Sequence, residues 1–260
     1  MKISIITPTY NNSGTIGSTI ESILSQTHTD IEHIIIDNCS TDGTLHAIRQ
    51  APYPADRQPV IVCEPDSGIY NAINKGIAMA TGDIVGILHA DDTYPTPDVL
   101  EQISTEFTRS GCEMIYGDIS WRSTKAPQKR IRYFCARDYN PQMLKTGIAP
   151  PHPSLYVHRR ILYKIGNYRE DYKIAADFEM FVRLMLIHGI RGSYLPVEIV
   201  AMSPDGRSGT LYHRLVTNTV EKMRALRQNG IKTSLPHILR RYIFNLRQYD
   251  PDTWNNTLNN

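Results

Sequence analysis

Short apolar runs alternate with longer amphipathic stretches through the first half of the chain. Residues 3–7, 33–36, 60–63 and 84–88 are rich in isoleucine and valine and are bounded by Gly, Pro or an acid. Runs of this length and composition suit strands covered on both faces. Between the first two, Ile16, Ile20, Ile23 and Leu24 recur at i, i+4, i+7 and i+8, one stripe of a helix, behind the N-cap types Asn11, Asn12 and Ser13. Ser40-Thr41-Asp42-Gly43 opens a second, short helix to about Arg49, and a third runs from about Tyr70 to Ala80. Pro8 cannot serve a central ladder, so the first strand is expected to stop before it. Strand–helix alternation at this spacing predicts an α/β fold, a mostly parallel, Rossmann-like sheet with right-handed crossovers and flanking helices.

Acids recur where these strands end. Asp37 follows the second strand, Asp66 lies just beyond the third, and the fourth runs through His89-Ala90 into Asp91-Asp92. The carboxyl edge of an open α/β sheet is where ligands bind. Two adjacent carboxylates repel each other unless a cation sits beside them, and hard oxygen donors suit Mg²⁺ or Mn²⁺. Blander readings stand beside this one. Asp-Asp-Thr ahead of Pro95 and Pro97 is also loop chemistry, Asp37 could be a strand-end cap, and Asp66-Ser67-Gly68 a tight turn. Asp42 is expected to support the turn before its helix, and His89 to be a packed strand histidine. Neither G-x-G-x-x-G nor a Walker A sequence is present, so a dinucleotide or P-loop site is not expected.

The segments Ile3-Ser4-Ile5-Ile6-Thr7-Pro8-Thr9-Tyr10-Asn11, Ile35-Ile36-Asp37-Asn38-Cys39-Ser40-Thr41-Asp42-Gly43-Thr44 and Asn74-Lys75-Gly76 through His89-Ala90-Asp91-Asp92 resemble glycosyltransferase family 2 in order and spacing. The similarity is strong over about residues 1–120 and returns at Pro151-His152-Pro153-Ser154 and from Gly166-Asn167-Tyr168 to Ala176-Asp177-Phe178-Glu179. The resemblance implies a GT-A fold, a nucleotide-sugar donor (a UDP-sugar), and a metal-dependent, inverting transfer to a glycan acceptor, lipid-linked, in surface polysaccharide assembly such as lipopolysaccharide O-antigen. Carried over position by position, it makes Thr7, Pro8 and Tyr10 the wall of the nucleotide pocket and Asp37 the acid that reads the base. Asp91 then faces the ribose, Asp92 holds Mn²⁺ or Mg²⁺, and Asp177 is the catalytic base. Asp66 is a further donor-side acid. Many members carry Arg-Asn before the glycine of the third helix; here the sequence is Ile73-Asn74-Lys75-Gly76, which leaves Lys75 as the substitute cation for the diphosphate.

Further strands are expected at 114–119, with Tyr116 and Asp118 forming a floor below the metal, and at 129–134, 154–157 and 193–202. Helices are expected at 159–165, from just after Asp177, at 213–230 and at 235–247. Asp177 has the place of an N-cap, where a helix N-terminus would keep it ionised and weakly basic; Glu179 is its nearest rival. Arg207, in the Gly-rich loop 203–209, could close over the diphosphate. These elements divide the chain into a catalytic domain, 1–212, and a helical extension, 213–260. The domain has a nucleotide half to about 120 and an acceptor half beyond it.

Charge sharpens that division. Residues 213–260 hold eight Lys/Arg against three Asp/Glu, so the net +2 of the chain hides −3 over residues 1–212. In the last helix Leu235, Ile238, Leu239, Tyr242, Ile243 and Leu246 form a face flanked by His237, Arg240, Arg241 and Arg247. Such a helix either packs on the body or lies on an anionic membrane. Nucleic acid is not an expected partner. The start has no signal-peptide pattern, and the four scattered cysteines fit buried, reduced thiols, so the expected location is cytoplasmic, peripheral at the inner face of the cell membrane. Two other functions remain open on the residues: a sugar-nucleotide pyrophosphorylase, which lacks here its basic Gly-rich loop, and a nucleotide-sugar-binding module without catalysis.

Overall fold

The computed structural model describes residues 1–123, 129–204 and 213–246. Four parallel strands form one half of a single sheet: β1 (Ile3–Thr9), β2 (Ile31–Asp37), β3 (Val60–Cys63) and β4 (Ile84–Ile87), in the order β3-β2-β1-β4. Helices α1 (Ile16–Leu24), α2 (Thr44–Gln50) and α3 (Ile69–Met79) join them. After α4 (Val99–Ser110), β5 (Met114–Arg122) and β6 (Arg130–Phe134) form an antiparallel pair, and β7 (Tyr156–His158) runs antiparallel between β4 and β5. Helices α5 (Arg159–Ile165) and α6 (Ala176–Phe181) follow, then β8 (Gly192–Met202), parallel to β5. The chain ends its described part in α7 (Asn218–Gln228) and α8 (Leu235–Leu246).

β1 does not stop at Pro8; it pairs with β2 through Thr9. The ladder tolerates the proline because of the side it faces. The Thr9 carbonyl accepts from Asn38 on the β2 side, whereas the Ile6 carbonyl accepts from Leu88 on the β4 side. Alternation puts Pro8 on the side of Ile6, beyond the last β4 pair, Ile6–Ile87, so its missing N–H leaves no strand unpaired. The Asn11–Ser13 segment is also not a helix cap. The N–H groups of Asn11, Asn12 and Ser13 go to Ser40 Oγ (2.8 Å), Thr44 Oγ1 (2.8 Å) and Asp42 Oδ2 (3.0 Å), stapling the loop after β1 to the loop after β2.

In the second half, Asp118, expected to form a floor below the metal, has its carboxylate engaged by neighbouring strands. It accepts from the Tyr133 hydroxyl (2.6 Å), the Ala136 N–H (2.7 Å) and the Tyr194 hydroxyl (3.0 Å), tying β5 to β6 and β8. Gly86 in β4 is a close-approach glycine: a Cβ there would collide with the Tyr156 ring of β7. The helix 235–247 of the sequence reading forms as α8 and packs inward through Ile238 and Arg241, both buried, while Leu235 and Leu239 are exposed. Arg241 is thus turned to the interior rather than to a flank. Arg207 and Arg247 lie outside the described residues. Cys39 and Cys63 are exposed, against the expectation of buried thiols. Among the described residues no helix is long and apolar enough to cross a membrane.

Thr7, expected in the nucleotide pocket, is fully buried in the sheet. Its hydroxyl meets His33 Nε2 at 2.9 Å, and His33 Nδ1 meets the Tyr53 hydroxyl at 2.6 Å. Burial pulls the His33 pKa down to about 3, so the folded protein resists a proton that the unfolded chain accepts near pH 6.5. The neutral imidazole therefore contributes fully above about pH 6.5, and stability falls as pH drops from there toward 3, by up to about 1.4 kcal/mol per pH unit. Urea unfolding at about pH 7 and pH 4.5 should show a larger acid loss in the parent than in His33→Gln. Equal losses would mean that His33 is not the buried neutral group.

Candidate active site

The carboxyl ends of β1, β2 and β4 share one edge, yet their acids stand there in different states. Asp37 is fully buried and committed to its own loop. Its Oδ1 accepts from the Ser40 hydroxyl (2.5 Å), and its Oδ2 from the Ser40 N–H (2.8 Å) and the Cys63 thiol (3.4 Å). Asp66 closes a turn, accepting from the Gly68 N–H at 2.9 Å, while its own N–H goes to Asn38. Asp42 behaves as expected of a turn support: Thr44 and Ser13 donate to it and hold its pKa well below the carboxylate range. Lys75 pairs with Glu64 at 2.7 Å and donates to the Pro65 carbonyl at 2.8 Å, so it would have to leave both to reach a diphosphate. Pro8 is buried and Tyr10, 46% exposed, stands at the rim.

Asp91 and Asp92 complete the end of β4. Asp91 is half-buried, whereas Asp92 is 2% exposed. Burial and the neighbouring Asp91 charge push the Asp92 pKa well up, against a hydrogen bond from the Ser203 backbone. Among the described residues its Oδ2 has no hydrogen-bond partner. A buried carboxylate oxygen left so is costly, and a divalent cation supplies what it lacks. Among the described residues no group of three or more His, Cys, Asp or Glu forms a metal cage. A cation shared with substrate phosphates needs only one or two protein carboxylates, so the residues fit that kind of site.

Asp177 reaches this edge from the other half of the molecule. It lies inside the first turn of α6, with Ala175 in the N-cap position. The Phe178 N–H donates to its Oδ1 at 2.7 Å. The expected effect of the helix N-terminus is nevertheless outweighed: burial raises the Asp177 pKa, opposed by Lys222, by that N–H and by His89. The carboxylate is more basic than the sequence suggested. Glu179, the rival, is 1% exposed and bound to Arg183 (2.9 Å) and Asn229 (3.2 Å), a structural ion pair.

Several groups that position Asp177 were not evident from sequence. Asn74 on α3 donates to the Tyr168 carbonyl (2.9 Å) and Glu170 (2.8 Å) and accepts from the Tyr168 N–H (2.9 Å), fastening the loop before α6 to the nucleotide half. From α7, Glu221 accepts the N–H groups of Lys173, Ile174 and Ala175, and Lys222 lies over the Phe178 ring at 4.7 Å. His89 and His152 have ring centres 6.4 Å apart, and His89 is close enough to feel both Asp91 and Asp177. Burial pulls both imidazoles down to about 4, so they are neutral near pH 7. His152 meets the Tyr168 hydroxyl at 2.9 Å.

A family model described as glycosyl transferase family 2 matches residues 4–166. The chain is 28% identical over 204 residues to a "PGL/p-HBAD biosynthesis glycosyltransferase" of Mycobacterium tuberculosis, covering 78% of this chain and 77% of that protein. Its fold is shared with S. aureus TarS 1-349 in complex with UDP-GlcNAc (TM-score 0.68, 18% identity, 92% of this chain and 69% of that one). It is shared also with a mannosyltransferase from Pyrobaculum calidifontis in complex with GDP-Man and Mn2+ (TM-score 0.62, 21% identity, 97% and 82%). With the sheet, the acids at its carboxyl edge and the family match in agreement, the chain belongs to glycosyl transferase family 2 and is a glycosyltransferase of GT-A fold.

Proposed function

We propose that this glycosyltransferase is metal-dependent and inverting, taking a sugar from a UDP-sugar to a lipid-linked glycan acceptor in the assembly of a surface polysaccharide such as an O-antigen. The observation that carries the reading is the buried Oδ2 of Asp92, without a hydrogen-bond partner among the described residues and set beside Asp91. Asp92 would hold Mn²⁺ or Mg²⁺, and Asp91 would face the ribose. Asp37, Asp66, Pro8 and Tyr10 would frame the nucleotide, Asp37 acting through the loop that it caps. When bound, the cation offsets the charge that develops on the leaving diphosphate. Asp177 takes the proton of the acceptor hydroxyl as that oxygen bonds to the anomeric carbon and the carbon–oxygen bond to the diphosphate breaks, which inverts the centre. The neutral His89 and His152 add no charge between the two sites. Support for the donor comes from the UDP-GlcNAc bound to TarS, and for the metal from the Mn2+ in the mannosyltransferase complex.

On this reading residues 1–212 form the catalytic domain, and 213–260 an extension that completes its acceptor side. The outward face of α8, with Leu235, Leu239 and Arg240 exposed, would rest peripherally on the inner face of the cell membrane. Co-sedimentation with anionic phosphatidylglycerol vesicles should be lost in Leu239→Glu/Arg240→Glu, since a basic residue near such a surface contributes about 1 kcal/mol. Equal sedimentation of both proteins, or none of the parent, would remove the membrane contact.

Asp92→Asn should abolish Mn²⁺-dependent UDP binding and transfer while leaving the melting temperature unchanged or higher, because a buried charge is removed. Asp177→Asn should keep UDP affinity and lose about 10²- to 10⁴-fold in turnover. Calorimetric UDP titration with and without chelator, alongside donor hydrolysis assays, separates the two. Full activity of the parent in excess chelator, or parental turnover of Asp177→Asn, would overturn the corresponding role.

A further inference from the structure

Two of the four cysteines meet at the carboxyl edge of the sheet, around Asp37. β2 and β3 are adjacent parallel strands, and their last pair is Asp37–Cys63. The Cys63 thiol donates to the Asp37 Oδ2 at 3.4 Å. Cys39 follows Asp37 by two residues, where the chain folds back: the Ser40 N–H and hydroxyl both return to the Asp37 carboxylate, at 2.8 and 2.5 Å. Both cysteines are exposed, whereas Cys112 is buried and Cys135 half-buried. Desolvation, the bond to Asp37 and the Cys39 side chain beside it all push the Cys63 thiol up.

Neighbouring thiols serve either a soft metal or a disulfide. A structural zinc takes four ligands, and among the described residues these two thiols belong to no group of three or more His, Cys, Asp or Glu suited to a metal. Accessible thiols with a second cysteine beside them are the ones that enter reversible disulfides in reducing compartments. Buried thiols such as Cys112 are inert to that chemistry.

We propose that Cys39 and Cys63 are a thiol–disulfide modification site, closed by exchange with a low-molecular-weight disulfide such as oxidised glutathione, and that closing it lowers donor affinity. One protein thiolate attacks a glutathione sulfur, forming a mixed disulfide and releasing one glutathione thiolate. The other protein thiolate then attacks the protein sulfur of that mixed disulfide, and the second glutathione leaves. The two cysteines together lose two electrons and two protons, and oxidised glutathione becomes two reduced molecules. In the disulfide, the Cys63 sulfur has no hydrogen left to donate to Asp37, and Cys39 is tied to the end of β3. Both changes fall on the loop that holds the segment after β1, through Ser40 Oγ and the Thr41 N–H, each bonded to Asn11 at 2.8 Å. The effect on the donor rests on the proposed reading that Asp37 acts on the nucleotide through this loop; the disulfide itself does not.

The test is equilibration of the full chain with oxidised glutathione, then tryptic mass mapping without reductant and calorimetric titration with UDP in Mn²⁺. The map should show peptide 3–49 joined to peptide 58–75, with Cys112 and Cys135 still free. UDP affinity should fall about tenfold, the loss expected for a hydrogen bond to a charged group, and dithiothreitol should restore it. Cys39→Ser should bind UDP equally well with and without oxidised glutathione. A glutathione adduct left on either cysteine, a link to another cysteine or between chains, or no reaction would overturn the site. A disulfide between Cys39 and Cys63 that leaves UDP affinity within about twofold of the reduced protein would overturn its control of the donor. If the reduced parent binds no UDP, the donor-site reading fails instead, and the peptide map still decides the disulfide.

Discussion

Three consecutive backbone N–H groups, those of Lys173, Ile174 and Ala175, end on the Glu221 carboxylate at 2.8–2.9 Å. These groups lie just ahead of α6, and that of the buried Ala175 would otherwise lack a partner, an expensive state. Glu221 is on α7, so a helix late in the chain fixes where α6 begins, and with it where Asp177 points. The next residue, Lys222, then reaches a cavity beside Asp177. Asn74 makes the same attachment from the other side, holding Tyr168 and Glu170 against α3. Between these two clamps, the acid of the acceptor half is brought to the edge of the nucleotide half.

The site is electrostatically tense because burial acts on most of its members at once. It raises Asp92 and Asp177 and lowers His89, His152 and Lys222. Each shift disfavours the charged form, and a cation beside Asp92 would relieve the one there. Groups of perturbed pKa gathered in one cleft are a common mark of a functional site.

The parallel half of the sheet is legible in the sequence because its strands are near-continuous apolar runs with a glycine, proline or acid at each end. The acids at those ends are legible as a set but not one by one. Asp37, Asp42 and Asp66 differ from Asp92 in the hydrogen-bond accounting of their loops, and Asp42 and Asp66 also in burial, all of which depends on partners such as Ser40, Cys63 and Asn38, placed by the fold. Thr7 misleads for the same reason, since its hydroxyl is used by His33 across the sheet. Glu221, Lys222 and Arg241 carry no sequence signal of function. Glu221 and Lys222 fall in the helix expected at 213–230, Arg241 reads as a flank of the basic amphipathic helix after it, and only the packing of Ile238 and Arg241 turns that second helix inward.

The account stands on Asp177 being a carboxylate made basic by burial and tempered by Lys222. Its side-chain ¹³Cγ resonance, followed with pH in the parent and in Lys222→Met, measures both. The expected midpoint lies above the ordinary aspartate value of about 4 and moves higher when the Lys222 charge is removed. A midpoint at or below that value, or one indifferent to Lys222, would contradict it.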